Sequence, residues 1–153
     1  MSEEGRFRSL RVYQLSHRLG VQIHQVTLGL PKFEVYEEGS QIRRSTKRVS
    51  ASIVEGYALR RYKAEYLHYL FRAYGSAEET VEHLDYLWET KSLTDESAYR
   101  ALREECIDLN RQLFRFIQGV EREHDQPYSL KESAGSYQAG EPGDPDSPLN
   151  PES

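Results

Sequence analysis

The chain has 153 residues, which suffices for one domain with its own hydrophobic core but is short for two. It contains no run of about eighteen apolar residues and no basic-then-apolar leader, so we expect neither membrane spanning nor secretion and predict a cytoplasmic protein. A single cysteine, Cys106, excludes an internal disulfide and a cysteine-rich zinc site.

The net charge of -5 comes from the C-terminal segment. Residues 125–153 contain six acids against Lys131 alone, whereas residues 1–124 are balanced, and five of the six prolines also lie in this segment. Such a composition buries too little apolar surface to offset the entropy of ordering. We therefore predict a folded domain over residues 1–124 and a disordered acidic Pro/Gly tail over residues 125–153.

Apolar residues at steps of three and four predict four amphipathic helices. The first helix ends near Gly29 and Pro31, and the second runs from about Tyr36 to Ala58. The seam of the first helix is Val12, Leu15, Leu19, Ile23, Val26 and Leu30. The seam of the second is Ile42, Ser45, Val49, Ile53 and Gly56.

The third and fourth helices have unbroken heptad-like seams, and Thr94 is the predicted N-cap of the fourth. The third seam is Leu67, Leu70, Tyr74, Ala77, Val81, Leu84 and Trp88. The fourth is Tyr99, Leu102, Cys106, Leu109, Leu113, Phe116 and Val120. Short loops between such helices favour an all-α, antiparallel up-down four-helix bundle. Within the third helix, Gly75 predicts a kink or the close approach of another backbone.

A basic cluster is the strongest candidate binding site for nucleic acid or another acidic partner. Like charges four residues apart are unfavourable on an isolated helix, which favours an external anion, and Tyr57 and Tyr62 are candidate stacking surfaces for bases. Only one acid, Glu55, lies within the cluster. Its members are Arg43, Arg44, Lys47, Arg48, Arg60, Arg61 and Lys63.

The charge pattern also permits a purely structural interpretation. Residues 78–108 are strongly acidic, so the basic cluster could be neutralised within the bundle or between subunits of a homo-oligomer. The sequence leaves open both this alternative and an interaction module that binds RNA, DNA or an acidic protein. If nucleic acid binds, we expect the acidic tail to compete for the cluster.

Three short motifs resemble those of a bacterial family named four helix bundle proteins. They are Gln41-Ile42-Arg43-Arg44, Ile53-Val54-Glu55-Gly56 and Ala73-Tyr74-Gly75-Ser76. The family includes proteins encoded in intervening sequences of ribosomal RNA genes, and it is related to accessory variability proteins of diversity-generating retroelements. The resemblance implies a ring-like homopentamer and, for the retroelement branch, binding to nucleic acid and a reverse transcriptase. For most members it implies no known activity.

Catalytic and metal-binding machinery is not apparent in the sequence. Di-metal sites in helical bundles take two Glu-x-x-His pairs and a carboxylate from each remaining helix, yet no acid lies between Glu4 and Glu34. Cys106 falls in a core seam without a histidine beside it. We therefore predict no metal, no cofactor and no enzymatic activity. The two Glu-x-x-His pairs are Glu65 with His68 and Glu121 with His124.

Overall fold

A computed structural model of the protein describes residues 4–123. Within this range the regular structure is helical, without strands, and no helix is long and apolar enough to cross a membrane. The helices are α1 Glu4–Arg8, α2 Arg11–Thr27, α3 Lys32–Tyr36, α4 Glu38–Ala58, α5 Lys63–Glu89 and α6 Glu96–Glu123. The predicted tail and His124 lie outside the described residues.

The four long helices form the predicted four-helix bundle. Consecutive long helices pack together, and α6 returns to pack against α2. Contacts between α4 and α5 join early residues of one helix to late residues of the other, as in the 2.8 Å hydrogen bond between the hydroxyls of Ser45 and Thr80. The same holds for α5 and α6, where Arg103 contacts Asp85. Such pairings are those of antiparallel neighbours.

The core follows the predicted seams of α2, α4 and α6, except that Val26, Tyr99 and Phe116 are only partly buried. Buried Leu and Ile side chains dominate it, each stabilising the fold by about 1.5–3 kcal/mol relative to exposure. Every predicted seam residue of α4 is buried, and Cys106 is a core residue of α6. Burial raises the pKa of the Cys106 thiol to about 12, so it remains protonated at neutral pH.

The buried line of α5 differs from its predicted seam. Leu67, Tyr74, Val81 and Trp88 are only partly buried, because α5 packs against both α4 and α6 and the centre of its apolar stripe is rotated toward a second line. That line contains Thr80, which is polar and therefore does not show in a pattern of apolar residues. The buried residues of α5 are Tyr66, Leu70, Ala73, Ala77, Thr80, Leu84 and Leu87.

Two local predictions are corrected. The N-terminal cap of α6 is Asp95 and not Thr94, since the Asp95 carboxylate accepts a 3.1 Å hydrogen bond from the backbone N–H of Ala98. No described backbone approaches Gly75, because a Cβ atom built there meets nothing within 4 Å and α5 continues through it. Close approach occurs instead at Gly56, where a built Cβ lies 3.1 Å from the Cβ of Tyr69.

Candidate nucleic-acid and partner interface

The predicted basic cluster separates into two groups in the folded chain. Arg43, Arg44, Lys47 and Arg48 lie in the first half of α4, whereas Arg60, Arg61 and Lys63 surround the junction between α4 and α5. At about 1.5 Å per residue, the helix places roughly 15–20 Å between Lys47 and Ala58, the last residue of α4. The seven residues therefore do not form one continuous patch.

Arg43 makes hydrogen bonds to other parts of the same chain. Its guanidinium donates one hydrogen bond of 2.9 Å to the hydroxyl of Thr27 and another of 2.8 Å to the backbone carbonyl of Val35. These bonds join the end of α2 and the short helix α3 to α4. Two donor groups of Arg43 thus serve internal acceptors, and its assignment to a binding surface stays a prediction.

Arg48 belongs to an ionic network between α4 and α5. Its guanidinium lies 3.1 Å from a carboxylate oxygen of Glu79, which also contacts Nε2 of His83 at 3.0 Å. The other ring nitrogen of His83 contacts Glu38. The hydrogen bond from His83, with the nearby positive charge of Arg48, lowers the pKa of Glu79. Part of the basic charge is thus neutralised within the chain.

Arg44 and Lys47 project from the outer side of α4. Both side chains are exposed, and neither makes a hydrogen bond or an ion pair among residues 4–123. The adjacent helix α2 contains no Asp or Glu and exposes Arg18 and His17. We call the surface formed by His17, Arg18, His24, Arg44 and Lys47 the α2/α4 face.

A shallow groove crosses the α2/α4 face where the two helices meet. Its volume is about 250 Å³, and Gly20 in α2 leaves the room for it. Val21, a large apolar residue, is 47% exposed beside it. The groove thus combines an apolar floor with cationic or ionisable rims. Its lining residues are His17, Gly20, Val21, His24, Gln25, Lys47 and Ser50.

The three cations of the second group contact neighbouring aromatic rings and backbone carbonyls. The guanidinium of Arg60 stacks 4.1 Å from the ring centre of Tyr57 and donates a 2.8 Å hydrogen bond to that residue's carbonyl. Arg61 lies over Tyr62, and Lys63 donates to the carbonyl of Glu121 in the last turn of α6. The predicted stacking tyrosines, Tyr57 and Tyr62, therefore hold arginines.

A pocket larger than the groove of the α2/α4 face lies near Arg60, where the α4–α5 junction meets the last turns of α6. It has a volume of about 670 Å³, with Arg11, Arg60 and Arg115 among its lining residues and Tyr57, Tyr66 and Phe116 forming its aromatic part. Glu123 is its acidic residue. We call it the bundle-end pocket. No local sequence pattern indicates this pocket, because its arginines come from α2, α6 and the α4–α5 loop, which are far apart in the chain.

The acidic segment is also divided. The carboxylate of Asp85 accepts hydrogen bonds from Tyr99 at 2.7 Å and from Arg103 at 2.9 Å. Burial opposes ionisation of Asp85, but these two hydrogen bonds outweigh it and lower its pKa. Glu82 and Glu89 remain exposed on the outer side of α5. The bundle thus exposes free cations on α2 and α4 and free carboxylates on α5.

Of the two Glu-x-x-His pairs, Glu65 with His68 lies within the described residues, whereas His124 of the second pair does not. Glu65 and His68 are exposed, as their positions off the seam of α5 predicted. Among residues 4–123, no group of three or more His, Cys, Asp or Glu side chains is arranged to hold a metal ion.

Comparison with known proteins identifies one family. The model of the 23S rRNA-intervening sequence protein family matches residues 8–115. A crystal structure from Bacteroides thetaiotaomicron, described as a protein of unknown function from the S23 ribosomal protein family, is similar at 27% identity and a TM-score of 0.61. The similarity covers 70% of this chain and 95% of that one. No curated protein matches the sequence.

Proposed function

This chain belongs to the 23S rRNA-intervening sequence protein family, and we propose that it is a non-enzymatic, oligomeric interaction module that binds nucleic acid through its α2/α4 face. One observation carries the proposal. Arg44 and Lys47 are exposed one helical turn apart, without an ion pair among the described residues, beside a helix that lacks acidic side chains.

A phosphate backbone suits this arrangement. Arginine offers a planar fork of donors to phosphate oxygens, and lysine offers a point charge, so both neutralise a polyanion without reading its sequence. On α2, Arg11 and Arg18 continue the positive charge along the outer side, about 10.5 Å apart at two helical turns. Binding of this type supports RNA and DNA alike.

Pairing between subunits is the second candidate, and the exposed carboxylates of α5 favour it. Glu82 and Glu89 lie seven residues apart on the outer side of that helix, two turns apart like Arg11 and Arg18 on α2. Contact between the α2/α4 face of one copy and α5 of the next would be heterologous, and such contacts form a closed ring when the rotation between subunits closes. The ring-like pentamer implied by the family resemblance is one closed form. An acidic protein partner would use the same cations.

A double substitution separates the two candidates. We expect Arg44→Ala with Lys47→Ala to weaken binding of a labelled oligonucleotide and to reduce the slope of log affinity against log salt by about 1.8 for duplex DNA. Fluorescence anisotropy measures both quantities at several salt concentrations. Light scattering on the same samples measures oligomer mass.

The matched control removes two arginines from α6. Arg100 and Arg111 are exposed and pair with Glu96 and Asp108, so their substitution by alanine changes the net charge equally without touching the α2/α4 face. Equal loss of binding in both variants would refute the assigned surface. A fall in oligomer mass in the α4 variant alone would establish the subunit contact instead.

A further inference from the structure

The bundle-end pocket has two kinds of lining. Its floor is apolar and aromatic, formed by side chains such as Leu10, Phe116 and Val120. Arg11 and Arg115 on its rim are exposed and make no hydrogen bond or ion pair within residues 4–123. A site of this kind fits a chain that presents aromatic or aliphatic side chains together with carboxylates.

Tyr66 sets the chemical character of the floor. Its side chain is buried and is a neutral phenol at pH 7, as an ordinary tyrosine is, and burial raises its pKa further, to about 12. The floor is therefore uncharged, and the positive charge of the site belongs to the arginines at its edge. An occupant must accordingly place apolar groups inward and negative groups outward.

The sequence supplies such an occupant directly after α6. Helix α6 ends at Glu123, which itself lines the pocket, and residues 124–153 follow. Residues 125–132 contain Tyr128 and Leu130 between two carboxylates, Asp125 and Glu132, and their one cation is Lys131. We infer that residues 125–132 of the acidic tail dock in the bundle-end pocket of their own chain, with Tyr128 and Leu130 inward and Asp125, on the opposite side of an extended chain, toward Arg11 and Arg115.

Reach and local concentration favour the chain's own tail over a free ligand. Tyr128 is the fifth residue after Glu123, which itself lines the pocket, and an extended chain of that length spans at most about 17 Å. A segment tethered through only a few residues reaches an effective concentration in the millimolar range. Residues 125–153 carry the whole net charge of -5, opposite in sign to the rim.

Docking has a consequence that rests on the proposed function. Arg11 belongs both to the rim of the pocket and to the outer stripe of α2 that continues to Arg18. A docked tail therefore occupies one end of the surface proposed for nucleic acid, and polyanion binding must displace it. The docking itself is tested without nucleic acid, so either idea can fail without the other.

Disulfide trapping in the full-length chain tests the docking. Ser133→Cys places a thiol next to the proposed segment, and Gly119→Cys places one in the pocket, where a built Cβ meets nothing within 4 Å. The matched control is Gln118→Cys, an exposed neighbour on α6 outside the pocket lining. The native Cys106 does not compete, since it is buried with a pKa of about 12.

We expect the intrachain disulfide between positions 119 and 133 to form about tenfold faster than that between 118 and 133, because docking concentrates the tail at one side of α6. Each rate is divided by the alkylation rate of the same helix cysteine alone, which removes differences in thiol reactivity. The preference should disappear in high salt and with Arg11→Ala and Arg115→Ala combined.

Three results would overturn the inference. Equal rates at positions 118 and 119 would mean that the tail samples both sides of α6 without docking. A preference that survives loss of Arg11 and Arg115 would refute their role. Disulfide-linked dimers in place of the intrachain product would identify a second copy as the occupant.

Discussion

The two ends of the bundle use arginine in different ways. At the end that contains α3 and the loop between α5 and α6, Arg43 donates to Thr27 and Val35, and Glu34 accepts from Ser92 and from the backbone of Glu38. We call this the closed end. At the opposite end, Arg60 donates to the carbonyl of Tyr57, but Arg11 and Arg115 line the bundle-end pocket without such partners among the described residues.

The difference shows that residue type does not decide the role of an arginine. A guanidinium that meets a carbonyl and a hydroxyl in a half-buried place stabilises the fold, whereas one at the edge of an open pocket remains available for a ligand. Arg43 and Arg44 are adjacent in the sequence and fall into different categories, because one turns toward α2 and α3 and the other toward solvent.

The largest expected effect tests the closed end. Arg43→Ala removes two hydrogen bonds from a charged donor and leaves the Val35 carbonyl unpaired, so we expect a loss of about 2–3 kcal/mol in the free energy of unfolding. Arg44→Ala and Arg115→Ala, both at exposed positions, should each change it by less than about 0.5 kcal/mol. Urea unfolding at one fixed protein concentration measures all three. Equal effects of Arg43→Ala and Arg44→Ala would break the comparison.

Glycine-to-alanine substitutions at the two ends should have opposite signs. At the closed end, a Cβ added to Gly39 would lie 2.7 Å from the backbone oxygen of Glu34, so we expect Gly39→Ala to destabilise the protein by about 1–3 kcal/mol. At the opposite end, a Cβ added to Gly119 in the bundle-end pocket would meet nothing within 4 Å, so Gly119→Ala should stabilise the protein by about 0.5–1 kcal/mol. Thermal unfolding followed by circular dichroism would show the two shifts. The same sign for both would refute the contrast.

The smallest expected effect is pH-dependent and concerns Asp85 near the closed end. Its pKa in the folded chain lies below the ordinary value of 3.8, so its ionised form stabilises the fold at pH values above that value. This contribution is lost as the pH falls through the lower, folded pKa. We expect the difference in stability between the unsubstituted protein and Asp85→Asn to shrink between pH 6 and pH 3. Glu104→Gln, at an exposed position of α6, is the control, and a constant difference for Asp85→Asn would contradict the assignment.

The helices were predictable to different degrees. The periodic seams of α2, α4 and α6 gave the correct elements, because each of these helices has one dominant buried line. The short helices α1 and α3 were not predicted, since five residues are too few for a period of 3.6 to be visible. In α5, the burial of Thr80 was not predictable, because the group that satisfies its hydroxyl, Ser45, lies in another helix.

The candidate site was only partly predictable. The sequence showed that Arg44 and Lys47 belong to a basic cluster, and the structure leaves both exposed. It also grouped Arg43 and Arg48 with them, but their acceptors, Val35 and Glu79, belong to other helices. The bundle-end pocket has no local signature, because Arg11 and Arg115 meet only when the first turn of α2 packs beside the last turns of α6.

The sequence by itself determined the helical class of the protein, the core seams of three helices and the division of charge between residues 1–124 and 125–153, since periodicity and composition are local properties. Only the tertiary structure decided which cations remain free. A side chain is neutralised or exposed according to the groups that neighbouring helices bring to it, and helix packing fixes those groups through contacts between residues distant in the chain.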